Sequence, residues 1–452
     1  MSLFNTLNTG ASGLSASGLG LSVIGDNIAN LNSFGFKRTR ASFADVFPSS
    51  VGTLGGVKKM GNGATTSNVS TMFEQGMLSG TGSALDVALT GQGFFQVGDG
   101  QQNYYTRDGS FTLDNSDYLV TAGGLRVQGY QATNGVIGNT VGDIQLDTGA
   151  FPPQASSEIT IDAVFGTSVD FDPALPTQDY EAIMGSLDGI TNDLNTASDL
   201  ADFSTSLTVY DSMGRPHDVV VNFEQISENP APGGTDWVYS VVIDGGETDV
   251  AGALPGMALQ IESGTLSFDQ FGELTNQVAD PSLAGWTWPG ADPFSPAIDF
   301  GFDAITGLSD GSLLVGGEDP GLSSVTAISQ DGFSVGSLTS LVVDPDGTVR
   351  GQYTNGEERA LGQVGIATFG AEGGLERLGS NLFQATLASG DPAMGAAGSG
   401  SRGSVNGYAL ERSNVDLEDE FVAMIQTQRS YQANAGVVRT ADETLQELVN
   451  LV

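Results

Sequence analysis

The sequence predicts a mainly β protein with long α-helical termini. The terminal helices pair as a coiled coil, and the strands between them form a discontinuous inner β-domain and an inserted outer β-rich block. Three observations predict this. Apolar residues recur every seventh position at both ends of the chain, Gly, Asp, Asn and Ser punctuate short apolar runs through the middle, and acidic residues concentrate in one central block.

At the N-terminus, Leu7, Leu14, Leu21 and Ile28 fall on one seven-residue row, and Ile24 and Leu31 lie three positions after Leu21 and Ile28. That spacing is the seam of a coiled coil. Yet the segment is rich in Gly, Ser, Asn and Thr, poor residues for a helix interior, and Asp26 is the sole charge in residues 1–36. A weak, nearly uncharged helix of this kind makes sense where it is buried among copies of itself. The run Asn27-Ile-Ala-Asn30-Leu-Asn-Ser-Phe-Gly35-Phe36-Lys37 closes it. Its Asn side chains can bond to local backbone and stop the helix, and Gly35 lets the chain leave with positive φ. Lys37, Arg38 and Arg40 form the densest basic cluster in the chain. They read either as a solvated linker face or as a salt contact to an acidic neighbouring subunit.

Residues 48–80, rich in Gly, Thr and Ser, read as linker and first strands. Residues 81–147 alternate short apolar runs with turns such as Asp108-Gly and Asp114-Asn-Ser-Asp117, the pattern of a β-domain. Its second half falls at 330–389, where Leu341–Val349 predicts two strands joined at Asp346-Gly347. The block 148–329 is then an insert, one domain or two. Ser206–Tyr210, Asp218–Phe223 and Trp237–Ile243 read as strands within it. It holds 28 Asp and Glu against one basic residue, Arg215, and so much like charge belongs on a solvated outer surface. Residues 32–80 and 390–415 complete the division as linker.

The C-terminal segment 416–452 repeats the heptad pattern more strongly. Leu417, Met424, Tyr431, Val438, Leu445 and Val452 lie on one row, and Phe421, Ala435 and Val449 on parts of a second. Asp416, Glu418, Asp419 and Glu420 crowd the start, where the helix dipole favours acids, with Asn414 the expected N-cap. As a helix the segment measures about 55 Å.

The 27–37 run resembles the signature of flagellar rod and hook proteins, with Ser33 where Thr is usual. Ala41-Ser-Phe-Ala-Asp-Val-Phe47 is similar to the hook members in particular. Ser413-Asn-Val-Asp-Leu417 and Met424-Ile-Gln-Thr-Gln-Arg-Ser-Tyr431-Gln-Ala-Asn434 resemble the family's closing motif. Ala84–Ala88, Gly93–Phe95, Tyr105–Phe111, Leu119–Leu125 and Leu361–Gly365 look like its inner β-domain. The resemblance covers about residues 1–147 and 330–452. It implies a hook subunit that polymerises with itself into the curved, flexible tube joining rod to filament. It further implies rod, hook-cap and hook–filament junction proteins as partners, an extracellular position on the flagellum, and passage through the flagellum's own export apparatus.

Composition is consistent with that role and narrows the alternatives. The 452 residues are too many for one ordinary core and indicate two to four domains. A net charge of −39 excludes binding nucleic acid or an anionic membrane through a basic surface. It also fits a chain kept soluble in salty surroundings. The absence of cysteine removes disulfides, thiol nucleophiles and Cys-ligated metals. A single histidine, His217, is not expected to build a His-based triad or a multi-His metal site within one chain. No run reaches the roughly 18 apolar residues of a membrane span, and residues 1–8 lack a basic n-region and an apolar h-region, so export is expected without a cleaved signal peptide. Gly398-Ser-Gly400-Ser-Arg-Gly403 satisfies GxGxxG but has neither a strand before it nor a helix opening after it. Asp170-Phe-Asp172 lacks a twelve-residue calcium loop. No catalytic residue, cofactor or metal is assigned, and the chain is read as a non-enzyme. The alternatives are a distal rod protein, which the large insert disfavours, and a secreted acidic β-rich surface or binding protein, which would not need heptads at both ends.

Overall fold

The computed structural model describes residues 3–47, 49–53, 56–165, 201–229, 234–250, 253–269, 274–280, 287–293, 297–300, 306–307 and 323–450. The protein is mainly β, with one long helix at each end: α1, Leu3–Ala29, and α2, Leu417–Asn450. The chain divides into two compact units, residues 1–149 with 338–452 and residues 150–337.

In the first unit, strands far apart in sequence share one antiparallel sheet. Arg126–Thr133 lies beside Glu358–Thr368, with Gly129 opposite Val364, and Phe94–Gly98 pairs with both, placing Phe95 opposite Ile366. The hairpin read at Asp346-Gly347 joins Leu338–Val343 to Thr348–Tyr353, and Gly347 takes the turn's positive φ of 85°. Beneath the sheet Phe95, Phe111, Leu119, Val127, Ile144 and Ile366 are buried together.

The stretch 390–415 is not a linker. It supplies Ala393–Ala396 to Glu358–Thr368, Ser404–Gly407 to Val87–Thr90, and Ala409–Glu411 to Leu78–Gly80. Small residues hide the alternation there, because backbone pairing needs no large side chain to complete it. Within 32–80, Thr39–Asp45 pairs antiparallel with Ala64–Thr71, forming a ribbon with a bulge at Ser42/Phe43.

In the second unit, Phe203–Tyr210, Pro216–Asn229, Gly234–Asp244, Ala258–Phe268 and Leu274–Asp280 form a five-stranded antiparallel meander. Glu158–Phe165 centres a second sheet, parallel to Ala297–Asp299 and Thr306–Gly307 and antiparallel to Ser324–Gln330. Phe165, Phe223, Trp237, Tyr239, Trp288 and Phe300 pack in its core. His217 is a strand residue opposite Val209. Its ring stacks on Trp288 at 4.0 Å, with Nδ1 2.7 Å from Glu247 Oε2 and Nε2 3.5 Å from Asp211 Oδ2. Asp170 and Asp172 lie outside the described residues.

Candidate functional site

The two termini run antiparallel along a line of small and polar residues. A Cβ on Gly10 would come 2.7 Å from Val438 Cγ2, one on Gly13 would come 2.7 Å from Asn434 Nδ2, and one on Gly20 would come 3.3 Å from Thr427 Cγ2. At the far end Asn27 Nδ2 donates to Glu420 Oε1 at 3.1 Å. Thr6 shares a shallow groove with Val437 and Ala441. The contact line is therefore Thr6, Gly13, Gly20 and Asn27 against Ala441, Asn434, Thr427 and Glu420. It has the seven-residue period of the apolar rows but is displaced from them by one residue on α1, about 100° around the helix, and by three residues on α2, about 60°.

That displacement places the sequence-read residues. Leu7, Leu14, Leu21, Ile28 and Leu31 flank the line half-buried, while Ile24 is buried. On α2, Met424, Val438 and Leu445 are half-buried. Leu417, Phe421 and Tyr431 stay 38, 47 and 42% exposed, and Val422 and Ile425 extend the open apolar face. Val452 lies outside the described residues. The contact line escaped the sequence reading because Gly, Thr and Asn carry no hydrophobic signal. Their usable signal was the repeated small residue at Gly13 and Gly20.

The residues of the 27–37 run fasten this pair to the sheet. Asn27 accepts from Thr39 N at 2.9 Å and donates to Thr39 O, fixing the exit from α1. Asn30 bonds back to Asp26. Gly35 has φ 67° and passes so close to Asp108 that a Cβ would sit 2.4 Å from its backbone nitrogen, so only glycine fits. Phe36 is buried under Arg377, whose guanidinium lies 4.7 Å from the ring and 2.9 Å from Asp26.

Lys37 belongs neither to a solvated linker face nor to a neighbour's surface. Its Nζ is wholly buried, 2.6 Å from Glu411 Oε1 and 2.7 Å from Glu74 O. Glu411 also accepts from Gly76 N at 2.7 Å and faces Arg107 at 3.5 Å, and Arg107 donates to Gly91 O. Burial pushes both cations below their ordinary pKa, and Glu411 opposes the shift. One carboxylate thus ties the exit of α1, the sheet and the approach to α2. Asn414 is a bridge rather than a helix cap. It accepts from Arg38 N and donates to Met72 O and Glu74 O, while the Asp416 carboxylate caps α2 through Glu418 N at 2.8 Å.

Contrary to the sequence expectation a strand, Ala393–Ala396, does precede Gly398–Gly403, but the run turns into the strand Ser404–Gly407 and opens no helix, with Arg402 donating to the carbonyls of Ala393, Met394 and Ser399. Among the described residues no group of three or more His, Asp or Glu is placed to hold a metal, and no helix is long and apolar enough to cross a membrane.

Comparison with known proteins agrees along the whole chain. A 34% identical flagellar hook protein, FlgE, from Salmonella typhimurium aligns over 97% of this chain and 98% of its own. The chain belongs to the flagellar hook protein family. Hook proteins of Escherichia coli and Treponema pallidum are 33% and 30% identical over 97% and 99% of this chain, covering 98% and 100% of theirs. Four family models match in order: flagella basal body rod protein over 7–37, flagellar hook protein FlgE/F/G D1 domain over 88–166, flagellar basal body protein FlaE D2 domain over 186–333, and flagellar basal body rod FlgEFG protein C-terminal over 407–451. The fold resembles the crystal structure of Helicobacter pylori flagellar hook protein FlgE2, with a TM-score of 0.52 at 15% identity over 74% of this chain and all of that one. The protein is a structural subunit of the flagellar hook.

Proposed function

We propose that this hook subunit polymerises with itself through its terminal helices, which pair as a coiled coil and bury their remaining apolar faces against neighbouring copies around a central channel. The observation that carries this is the open face of α2. Leu417, Phe421, Val422 and Ile425 stand exposed although α1 is already packed alongside. A contiguous exposed apolar patch marks an interaction site, and contacts that repeat without closing build an open helical tube. The acidic block 148–329 belongs on solvated surface in that assembly. Rod, hook-cap and junction proteins as axial neighbours, an extracellular position and passage through the flagellar export apparatus belong to the same reading.

A chain lacking residues 1–31 and 416–452 tests it. That chain is expected to stay monomeric and soluble at concentrations where the full chain forms tubes, as seen by electron microscopy. Polymer from the truncated chain would refute the assembly role of the helices.

A further inference from the structure

Leu387 is the most exposed large apolar side chain among the described residues, at 106% of its reference area. Its turn is locked. Thr386 N donates to Ser389 Oγ at 2.9 Å, Ser389 Oγ donates to Thr386 O at 2.9 Å, Ala388 N donates to Thr386 Oγ1 at 3.1 Å, and Thr386 Oγ1 donates to Gly374 O at 2.6 Å. A loose loop can expose a leucine and fold it away. This turn holds it out in one conformation, which lowers the ordering cost of docking.

The same unit carries an unfilled cleft of about 290 Å³ between α1, Thr39–Asp45 and α2, walled by Val23, Ile24, Ala41, Phe43 and Ala423, with Asp419 and Glu420 also on its lining. Arg40 on its wall is exposed and makes no ion pair among the described residues. Asp391, four positions beyond Leu387, is likewise exposed and unpaired. Leucine and cleft are each unsatisfied within one chain, and Arg40, the cation of the cleft wall without an ion pair among the described residues, is opposite in charge to Asp391.

We propose that the Leu387 turn seats in this cleft on a second copy of the chain, with Asp391 meeting Arg40. A projection on one surface and a receptor on another make a heterologous contact, the kind that propagates an open helix. The proposal deepens the hook reading and rests on it.

The chain lacks cysteine, so introduced thiols are unambiguous. Wild-type chain is polymerised first, and failure to polymerise overturns the hook reading itself. Polymer of the double variant Leu387→Cys with Ala41→Cys, treated with a short bifunctional thiol crosslinker, is expected to give a covalent ladder longer than dimers. Neither single variant should do so. Polymer that forms without a ladder overturns the proposed contact while leaving the hook reading intact. In a second arm Leu387→Asp is expected to raise the critical concentration for assembly by about tenfold or more, from the lost burial of one leucine. Leu387→Met should assemble as wild type. Arg40→Asp should weaken assembly, and adding Asp391→Arg should restore it. Leu387→Asp polymerising at the wild-type concentration also overturns the contact, since this wholly exposed side chain has little part in the monomer's own packing.

Discussion

Glu411 holds two cations in a place that water does not reach, and its partner Lys37 lies 374 positions away in sequence. Buried pairs contribute little against an apolar replacement, but removing one partner strands a charge. Glu411→Gln leaves Lys37 and Arg107 buried together without their counter-charge. It is expected to cost about 3–5 kcal/mol. In a unit of this size that lowers the melting temperature by about 6 °C or more, which calorimetry would register. A Glu411→Gln protein melting within a degree of wild type would refute the clasp. The Asn-Gly-Phe-Lys run stood out in the sequence as a motif, and Gly35 was read for positive φ. What Lys37 does was not legible, because nothing near it in sequence is its partner.

At the scale of elements, both helices were legible and their line of contact was not. Periodicity reports where large apolar side chains lie, and here they flank the contact or face outward. The close approach itself is made by glycines, which helix propensity counts only as a defect. The two accounts make opposite predictions. Gly18 and Gly25 have open space where a Cβ would go, so Gly18→Ala and Gly25→Ala should stabilise α1 by about 0.5–1 kcal/mol each. Gly10→Leu meets Val438 and should loosen the pair despite its better propensity. Amide exchange across residues 3–29 of the monomer distinguishes them, with slower exchange for the alanines and faster for the leucine. Glu420 adds a pH dependence. Burial raises its pKa above the ordinary 4.5, against the Asn27 hydrogen bond. A raised folded pKa contributes stability that is complete below the unfolded value and is lost as pH rises through the folded one. Exchange in α1 and α2, corrected for intrinsic rate, should therefore be slower near pH 4.5 than at pH 7, and Glu420→Gln should flatten the difference. An unchanged pH profile in that variant would place the titrating group elsewhere.

For the whole molecule, the decisive quantity is the net charge of −39. Residues 148–329 carry 28 acids against Arg215 alone, and Glu158, Asp218, Glu247, Asp249 and Asp292 stand exposed. Copies brought together in a tube repel through these charges, while the helix faces and the Leu387 turn attract by apolar burial, which salt does not screen. Raising ionic strength from about 0.01 M to 0.15 M shortens the screening length from about 30 Å to 8 Å. The Arg40–Asp391 pair weakens under the same change, but an exposed pair contributes only about 0.2–1 kcal/mol, less than the summed repulsion of the acidic blocks. Salt is therefore expected to lower the critical concentration for assembly, measured by sedimentation of polymer from monomer across a salt series. The Arg40→Asp, Asp391→Arg chain should respond in the same direction. Tubes that dissolve as salt rises would mean that ion pairs, not apolar faces, hold the subunits together.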